Sequence, residues 1–249
     1  MTKLKTMFGL SMLATFAVCA FAAQGASAQT AFECAPTSSA EFKDAHCKEK
    51  GTGAGFHHVV IGPKTPKEIT LTNITTGTAR STAKLKSVQS GVTLELQSTE
   101  VEGTGTMENK ESGAEMWVEG SGKITFKGVT VTAPAGKGCI VKGETGVEKV
   151  VPTKALTGTT KGLTNQLKFS PTTPSTFAEF TISGCSVAAL NHVYTATGSV
   201  IGNTEGATTK FTHAATTEQG TLFLFGQKAG LEGEATIKVS GTGNALALT

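Results

Sequence analysis

The feature that most constrains this chain is the alternation of apolar and polar residues along much of its length. Val92, Leu94 and Leu96 are separated by threonine and glutamate, and Ile237 and Val239 flank a lysine near the other end. A period of two places successive side chains on opposite faces of a β-strand. Glycine, proline and paired threonines interrupt the chain too often for an amphipathic helix of about 12 residues. We therefore predict an all-β protein.

Composition narrows the choice of architecture. Threonine is the commonest residue, and glycine follows with 30 copies. Threonine suits a half-exposed pleated surface, whereas glycine at short intervals suits turns and bulges. Strand patterns separated by turn signals about every 8–12 residues are typical of sandwiches and barrels. The sequence favours an antiparallel β-sandwich, with a flattened β-barrel as the second choice and a β-solenoid as the third.

Residues 1–28 have the pattern of a secretory signal peptide. Lys3 and Lys5 precede an apolar run over residues 9–23, and residues 26–28 are small, as at a cleavage site. The run is too short to span a bilayer comfortably, so cleavage is favoured over anchoring. Loss of the two lysines would lower the formal net charge from +3 to +1. We expect the protein to be secreted, either extracellular or associated with the cell envelope, without membrane insertion after cleavage.

The four cysteines that follow the predicted signal peptide indicate disulfide bonds. Cys34, Cys47, Cys139 and Cys185 are an even number in a chain expected outside the cytoplasm. Three pairings are possible, and we favour Cys34–Cys47 and Cys139–Cys185 because each pair flanks a compact segment. Loop entropy predicts stabilisation of roughly 3 and 4 kcal/mol respectively. The alternative of a zinc site lacks the usual CxxC or HxxxH spacing, so we predict no metal and no cofactor.

The predicted organisation is a signal peptide over residues 1–28, a disulfide-tied N-terminal cap over residues 29–66 and a single β domain over residues 67–249. The cap segment is richer in charge and poorer in strand patterns than the remainder. A β domain of this length can bury a sizeable core. The near-neutral charge of the exported chain gives no electrostatic reason to expect nucleic acid as a partner.

Paired carboxylates are the most plausible catalytic feature. Glu100 and Glu102 occupy one face of a predicted strand about 7 Å apart, and Glu232 and Glu234 have the same spacing. Glycoside hydrolases hold two carboxyl groups about 5–9 Å apart. The same spacing arises on any polar strand face that carries glutamate. We therefore assign no catalytic residue and keep a polysaccharide hydrolase that uses paired glutamates as the alternative function.

Trp117 and Tyr194 are the predicted binding residues. They are the single tryptophan and the single tyrosine of the chain, and sugars can stack on such rings when these are exposed. The 13 phenylalanines are expected in the core. The adjacent residues His57 and His58 would point to opposite faces of a strand, so they are not assigned to a metal or an acid–base site.

Three short stretches carry a resemblance to other proteins. They read GKGCIVKG at residues 136–143, GTGTMEN at residues 103–109 and AGLEG at residues 229–233. In these stretches the chain resembles a large, loose group of exported β-rich proteins of soil bacteria, mainly actinobacteria. The resemblance covers most of the chain beyond the signal peptide and implies a secreted β-rich protein. The group has no established activity, so the resemblance assigns no functional residue.

The function expected from the sequence is non-enzymatic. A threonine-rich, weakly charged sheet surface suits contact with a surface, a polymer or another subunit. We expect a binding or structural role at the cell surface or in the extracellular space. The expected partners are a cell-envelope polymer or glycan, or further copies of the chain.

Overall fold

The computed structural model describes residues 29–53, 55–76, 79–172, 175–212 and 222–249, and the predicted signal peptide lies outside these ranges. The protein is all-β, as predicted, and a short 3-10 helix spans Ala188–Leu190. The strands are β1 (Ala31–Thr37), β2 (Gly55–Val60), β3 (Lys67–Asn73), β4 (Thr75–Thr76), β5 (Ala79–Arg80), β6 (Ala83–Gln89), β7 (Val92–Ser98), β8 (Glu100–Ser112), β9 (Glu115–Lys127), β10 (Thr130–Ala133), β11 (Ile140–Gly143), β12 (Val150–Pro152), β13 (Leu156–Thr159), β14 (Gln166–Pro171), β15 (Thr176–Ser183), β16 (Val193–Thr197), β17 (Val200–Glu205), β18 (Thr208–Thr212), β19 (Phe223–Leu224), β20 (Gln227–Val239) and β21 (Ala245–Leu248).

Eight of these strands close into an antiparallel barrel. Their order around the barrel is β3, β8, β9, β13, β14, β17, β18 and β20, and β20 pairs again with β3. The closed ring corresponds to the second architecture expected from the sequence, and the favoured sandwich is not confirmed. Alternation fixes which side chains face the core, but it does not fix whether the last strand returns to the first.

The barrel interior combines large apolar side chains with glycines. Leu167 and Ile237 are almost completely buried, and Met107 lies on the inward face of β8. Gly105 of β8 pairs with Gly122 of β9, and both face inward where these two long strands pass close together. Small residues opposite large ones fill a narrow barrel without leaving a channel.

A second sheet continues from one end of the barrel. Its order is β10, β7, β6, β20, β19, β16, β15 and β11, with antiparallel pairing throughout. The first half of β20 belongs to this sheet and its second half to the barrel. The core of the second sheet includes Phe180, Ile182 and Leu224 and is continuous with the barrel core. One strand therefore joins the two parts of the protein.

The predicted cap segment lies at the other end of the barrel. β1 pairs on one side with β2 and on the other with β21, so the first and last strands of the described chain are neighbours. A small core of its own contains Cys34, Phe42, Cys47 and two alanines of β21. The predicted boundary at residue 66 remains a prediction, because β21 packs with the cap although it belongs to the far end of the sequence.

Both predicted disulfides are formed. Cys34 pairs with Cys47 across a Cα–Cα distance of 5.9 Å, and Cys139 pairs with Cys185 across 4.2 Å. The first bond closes the cap loop, and the second joins the segment before β11 to the segment after β15. Such bonds form and persist in oxidising compartments outside the cytoplasm.

Candidate functional site: a groove in the cap

The glutamate pairs singled out in the sequence lie on the outer surface, and Glu100, Glu102 and Glu234 lie beside cations. Glu100 accepts a hydrogen bond from Arg80, and Glu102 lies 2.5 Å from Lys127. Glu234 also has a lysine partner, at 2.6 Å. The hydrogen bond from Arg80 lowers the pKa of Glu100, so this carboxyl group is ionised at neutral pH and unsuited to act as a general acid. The geometry does not favour the hydrolase alternative.

The two predicted binding residues lie in different parts of the fold. Trp117 is half-buried on β9, and the ammonium group of Lys161 lies 4.2 Å from the centre of its ring. A sugar would have to displace this lysine to stack on that face. Tyr194 of β16 is only 1% exposed and donates a hydrogen bond to the carbonyl of Leu190. Its ring is a core residue, which corrects the expectation that it offers a surface for stacking.

The interior is too tightly packed to hold a sizeable ligand. Three voids among the core side chains measure about 60, 40 and 30 Å³. Pockets for drug-sized ligands usually measure about 300–1,000 Å³. The largest of the three voids is lined by apolar side chains such as Leu85, Phe126 and Phe180. These voids are packing gaps in the core, so a binding site must be sought on the surface.

The cap carries an open groove of about 950 Å³, which we call the cap groove. Its lining comes from three separate parts of the sequence, namely residues 40–58, the turn between β17 and β18, and the chain end. The charged and polar residues that line it are Glu41, Lys48, Lys50, Thr52, His58, Glu205 and Thr249. Its volume lies within the usual range for a ligand site, and its lining presents charges of both signs.

The loop that forms one wall of the groove is held rigidly by Asp44, the only aspartate of the chain. Its carboxylate accepts hydrogen bonds from the backbone N–H groups of His46, Lys48 and Glu49 at 2.6–3.0 Å. Partial burial raises the pKa of Asp44, but the three hydrogen bonds outweigh it and the pKa is lowered overall. Together with the Cys34–Cys47 bond, the hydrogen bonds to the Asp44 carboxylate fix the loop in one conformation.

The turn between β17 and β18 forms the opposite wall of the groove and packs against that loop. The backbone N–H of Ala207 donates to the carbonyl of His46 at 3.1 Å, and Lys48 forms a 3.0 Å ion pair with Glu205. Gly206 has a φ of 56°, and a Cβ there would lie 2.4 Å from the carbonyl oxygen of His46. Only glycine permits this close approach, so the two walls of the groove are joined in a fixed arrangement.

An aromatic stack lies beneath the groove. The ring of His58 lies between Phe32 and Phe42, with centroid distances of 4.6 and 4.4 Å. Its Nε2 atom is buried and has no hydrogen-bond partner among the described residues. Burial lowers the pKa of His58, Glu41 opposes this effect and His57 adds to it. The imidazole is therefore neutral at neutral pH.

Sequence reasoning did not identify this groove. Its charged residues come from loops without a recognisable motif, and Glu205 is far from Lys48 in the sequence. The single aspartate inside a disulfide loop was the available signal, because a short loop that carries one strong acceptor is often organised by it.

No protein family, curated protein or solved structure matches the chain. Among the described residues, no group of three or more His, Cys, Asp and Glu side chains could hold a metal ion. Within the same ranges, no helix is long and apolar enough to cross a membrane.

Proposed function

We propose that the protein is an exported, non-enzymatic binding protein whose cap groove takes a polar segment of an extracellular or cell-envelope polysaccharide. The observation that carries this proposal is the contrast between an open groove of about 950 Å³, whose lining includes charged side chains, and core voids of at most about 60 Å³. The space available for a ligand is therefore open, bordered by both charged and apolar residues, and at one end of the molecule.

Export is supported by the amino-terminal pattern and by the disulfides. The first 28 residues combine lysines, an apolar run and a small-residue cleavage site. The Cys34–Cys47 bond closes the loop that forms the groove, so the groove depends on an oxidising compartment.

The lining of the groove suits a ligand rich in hydroxyl and amide groups. Lys50 is exposed and has no ion-pair partner among the described residues, whereas Lys48 is held by Glu205. Lys50 can therefore donate to a ligand without first breaking an ion pair. Glu41 and Thr52 add an acceptor and a hydroxyl group on the same rim. Lys50 can also attract a carboxylate group of the polymer, and because both charges are exposed this attraction should weaken as salt increases.

Co-sedimentation with insoluble polymers tests the proposal. The intact protein is mixed with purified peptidoglycan, chitin or cellulose, and its depletion from solution is measured at low and at 0.5 M salt. We expect binding to at least one polymer, weakened several-fold by salt and by Lys50→Glu. Lys123→Glu, at an exposed lysine of the barrel wall, is the matched control and should bind as the unmodified protein does. Equal binding by both variants would show that the groove is not the site.

A further inference from the structure

The hairpin turn between β19 and β20 carries an unexpected residue. Phe225 and Gly226 form a two-residue loop with φ angles of 48° and 77°. Turns with two positive φ angles favour Asn, Asp and Gly, and a bulky side chain in this region is an outlier. The β6–β7 turn has nearly the same angles, 49° and 77°, with Ser90 and Gly91. The same chain thus builds this turn without an aromatic residue, so the turn does not require Phe225.

The ring of Phe225 is exposed but held in place. The side chain is 53% exposed, although burying a phenylalanine normally contributes about 1.5–3 kcal/mol. Its ring stacks on His192 at a centroid distance of 5.7 Å and an interplanar angle of 19°. The buried ring of Tyr194 meets it edge-on at 5.8 Å. The protein therefore accepts both a strained backbone and an exposed ring at this position, and it restricts the motion of that ring.

We propose that Phe225 and His192 form a second binding site, which takes the apolar face of a pyranose ring in a neutral polysaccharide. A fixed and exposed aromatic ring offers its face to the C–H groups of a sugar at little cost in conformational entropy. The adjoining imidazole of His192 supplies a hydrogen-bonding group for a sugar hydroxyl. The exposed neighbours Asn191, Val193 and Gln227 carry no charge, and the exposed Lys228 lies one residue further along β20, opposite Phe223, so the residues nearest the ring match a neutral ligand.

The site lies far from the cap groove. β20 begins at the Phe225 turn and ends beside the cap, and its 13 residues span roughly 40 Å. The inference takes only the class of ligand from the proposed function. The two sites differ in chemistry, since charged side chains line the cap groove whereas the binding surface of the Phe225 site is an aromatic ring. Binding at the groove should therefore depend on salt, whereas binding at the Phe225 site should not.

The test uses Phe225→Ser, which copies the residue of the β6–β7 turn, in the full-length exported protein. Binding to cellulose and chitin is measured in 0.5 M salt, where the contribution of the groove is screened. We expect at least a tenfold loss of binding and an unchanged or higher melting temperature. Val147→Ser, at an apolar side chain of equal exposure outside this site, is the control and should bind within twofold of the unmodified protein.

A second measurement follows the ring protons of His192 by NMR during titration with chitohexaose and cellohexaose. We expect saturable shifts that are lost in Phe225→Ser and kept in Lys50→Glu. Unchanged binding by Phe225→Ser, no shift at His192 with either sugar, or a fall of several degrees in the melting temperature of Phe225→Ser would overturn the proposal. So would a dimer that Phe225→Ser dissociates, because the ring would then cover a second copy. Loss of binding in Lys50→Glu alone would support the groove and reject this site.

Discussion

The side chain of Asn109 pairs with the backbone of Ala31 in both directions. Its Oδ1 accepts from the N–H of Ala31 at 2.7 Å, and its Nδ2 donates to the carbonyl of Ala31 at 3.1 Å. The same Nδ2 also donates to the carbonyl of Ile61 at 2.7 Å. Asn109 is 1% exposed and lies on the inward face of β8, so one amide joins the barrel to β1 and to the end of β2.

Replacement of Asn109 by alanine should therefore loosen the cap. The N–H of Ala31 and the carbonyl of Ile61 would lose their side-chain partner, whereas the carbonyl of Ala31 keeps a 3.5 Å hydrogen bond from the N–H of Ile61. Each unsatisfied buried group costs about 1–3 kcal/mol. We expect a loss of about 2–4 kcal/mol in the free energy of unfolding, measured by urea denaturation. Asn203→Ala, at an exposed asparagine bonded to Gln166, should change it by less than about 0.5 kcal/mol. Equal losses in the two variants would contradict this role of Asn109.

Replacement of Gly105 by alanine should disturb the β8–β9 pair. A Cβ at this position would lie 2.1 Å from the backbone carbonyl oxygen of Ser121, which cannot move without breaking the strand pairing. We expect destabilisation of about 2–3 kcal/mol, in the range of overpacked cores. Thr104→Ala, at the exposed neighbour, tests whether any change in this strand has the same effect, and it should cost well under 1 kcal/mol.

Removal of the cap disulfide should weaken both stability and the groove. The Cys34→Ser, Cys47→Ser double variant opens a loop with a sequence separation of 13 residues, and the expected loss is about 3 kcal/mol. Thermal denaturation measures the stability, and co-sedimentation measures binding to the polymer. Removal of the second disulfide alone, by the Cys139→Ser, Cys185→Ser double variant, should leave salt-dependent binding intact. A cap variant that binds normally would show that the loop keeps its shape without the bond.

Stability should fall on the acid side of neutrality because of His58. Its pKa in the folded protein lies below the ordinary value of 6.5, so below that pH the unfolded chain takes up a proton that the folded chain refuses. A single group of this kind changes the free energy of unfolding by less than about 1.4 kcal/mol per pH unit. The change is smaller still because the ring is only half-buried. We expect His58→Phe to flatten the stability profile between pH 6.5 and 5.

Below pH 4 a second loss of stability is expected from Asp44. Its pKa is lower in the folded protein than the ordinary 3.8, so its contribution is present above that value and disappears as the pH falls through the folded pKa. Asp44→Asn removes the charge but keeps one acceptor. Thermal melts at pH 3 and pH 7 should show a smaller difference for this variant than for the unmodified protein. An unchanged difference would contradict the assignment.

The sequence predicted local structure well where burial alternates strictly. Leu94 and Leu96 are buried on β7, and Thr93 between them is exposed, as the period of two requires. The disulfide pairing was also predictable, since short segments between cysteines restrict their partners. By contrast, the expectation that the phenylalanines lie in the core is wrong for Phe225, which is exposed because it lies in the turn after β19.

There is a physical reason why closure of the barrel could not be predicted from the sequence. Glycines at short intervals predict turns, whereas Gly105 and Gly122 lie inside long strands and permit the close approach of these strands. A glycine in a turn and a glycine at a strand contact give the same local pattern. The cap groove was equally inaccessible, because the distance between Lys48 and Glu205 depends on how β17 and β18 meet the cap loop.

β20 has consequences for how the molecule carries load. It is bonded to β3, β18 and β21 near the cap and to β6 and β19 near the Phe225 turn. If each end of the protein is bound to a polymer, a force that pulls the two polymers apart acts along β20. Such a force loads the hydrogen bonds between β20 and its neighbours in shear, so many of them resist it together. A force perpendicular to β20 would instead break these hydrogen bonds one after another. A protein bound at both ends in this way would act as a tensile connector whose rupture force is set by the hydrogen bonds along β20.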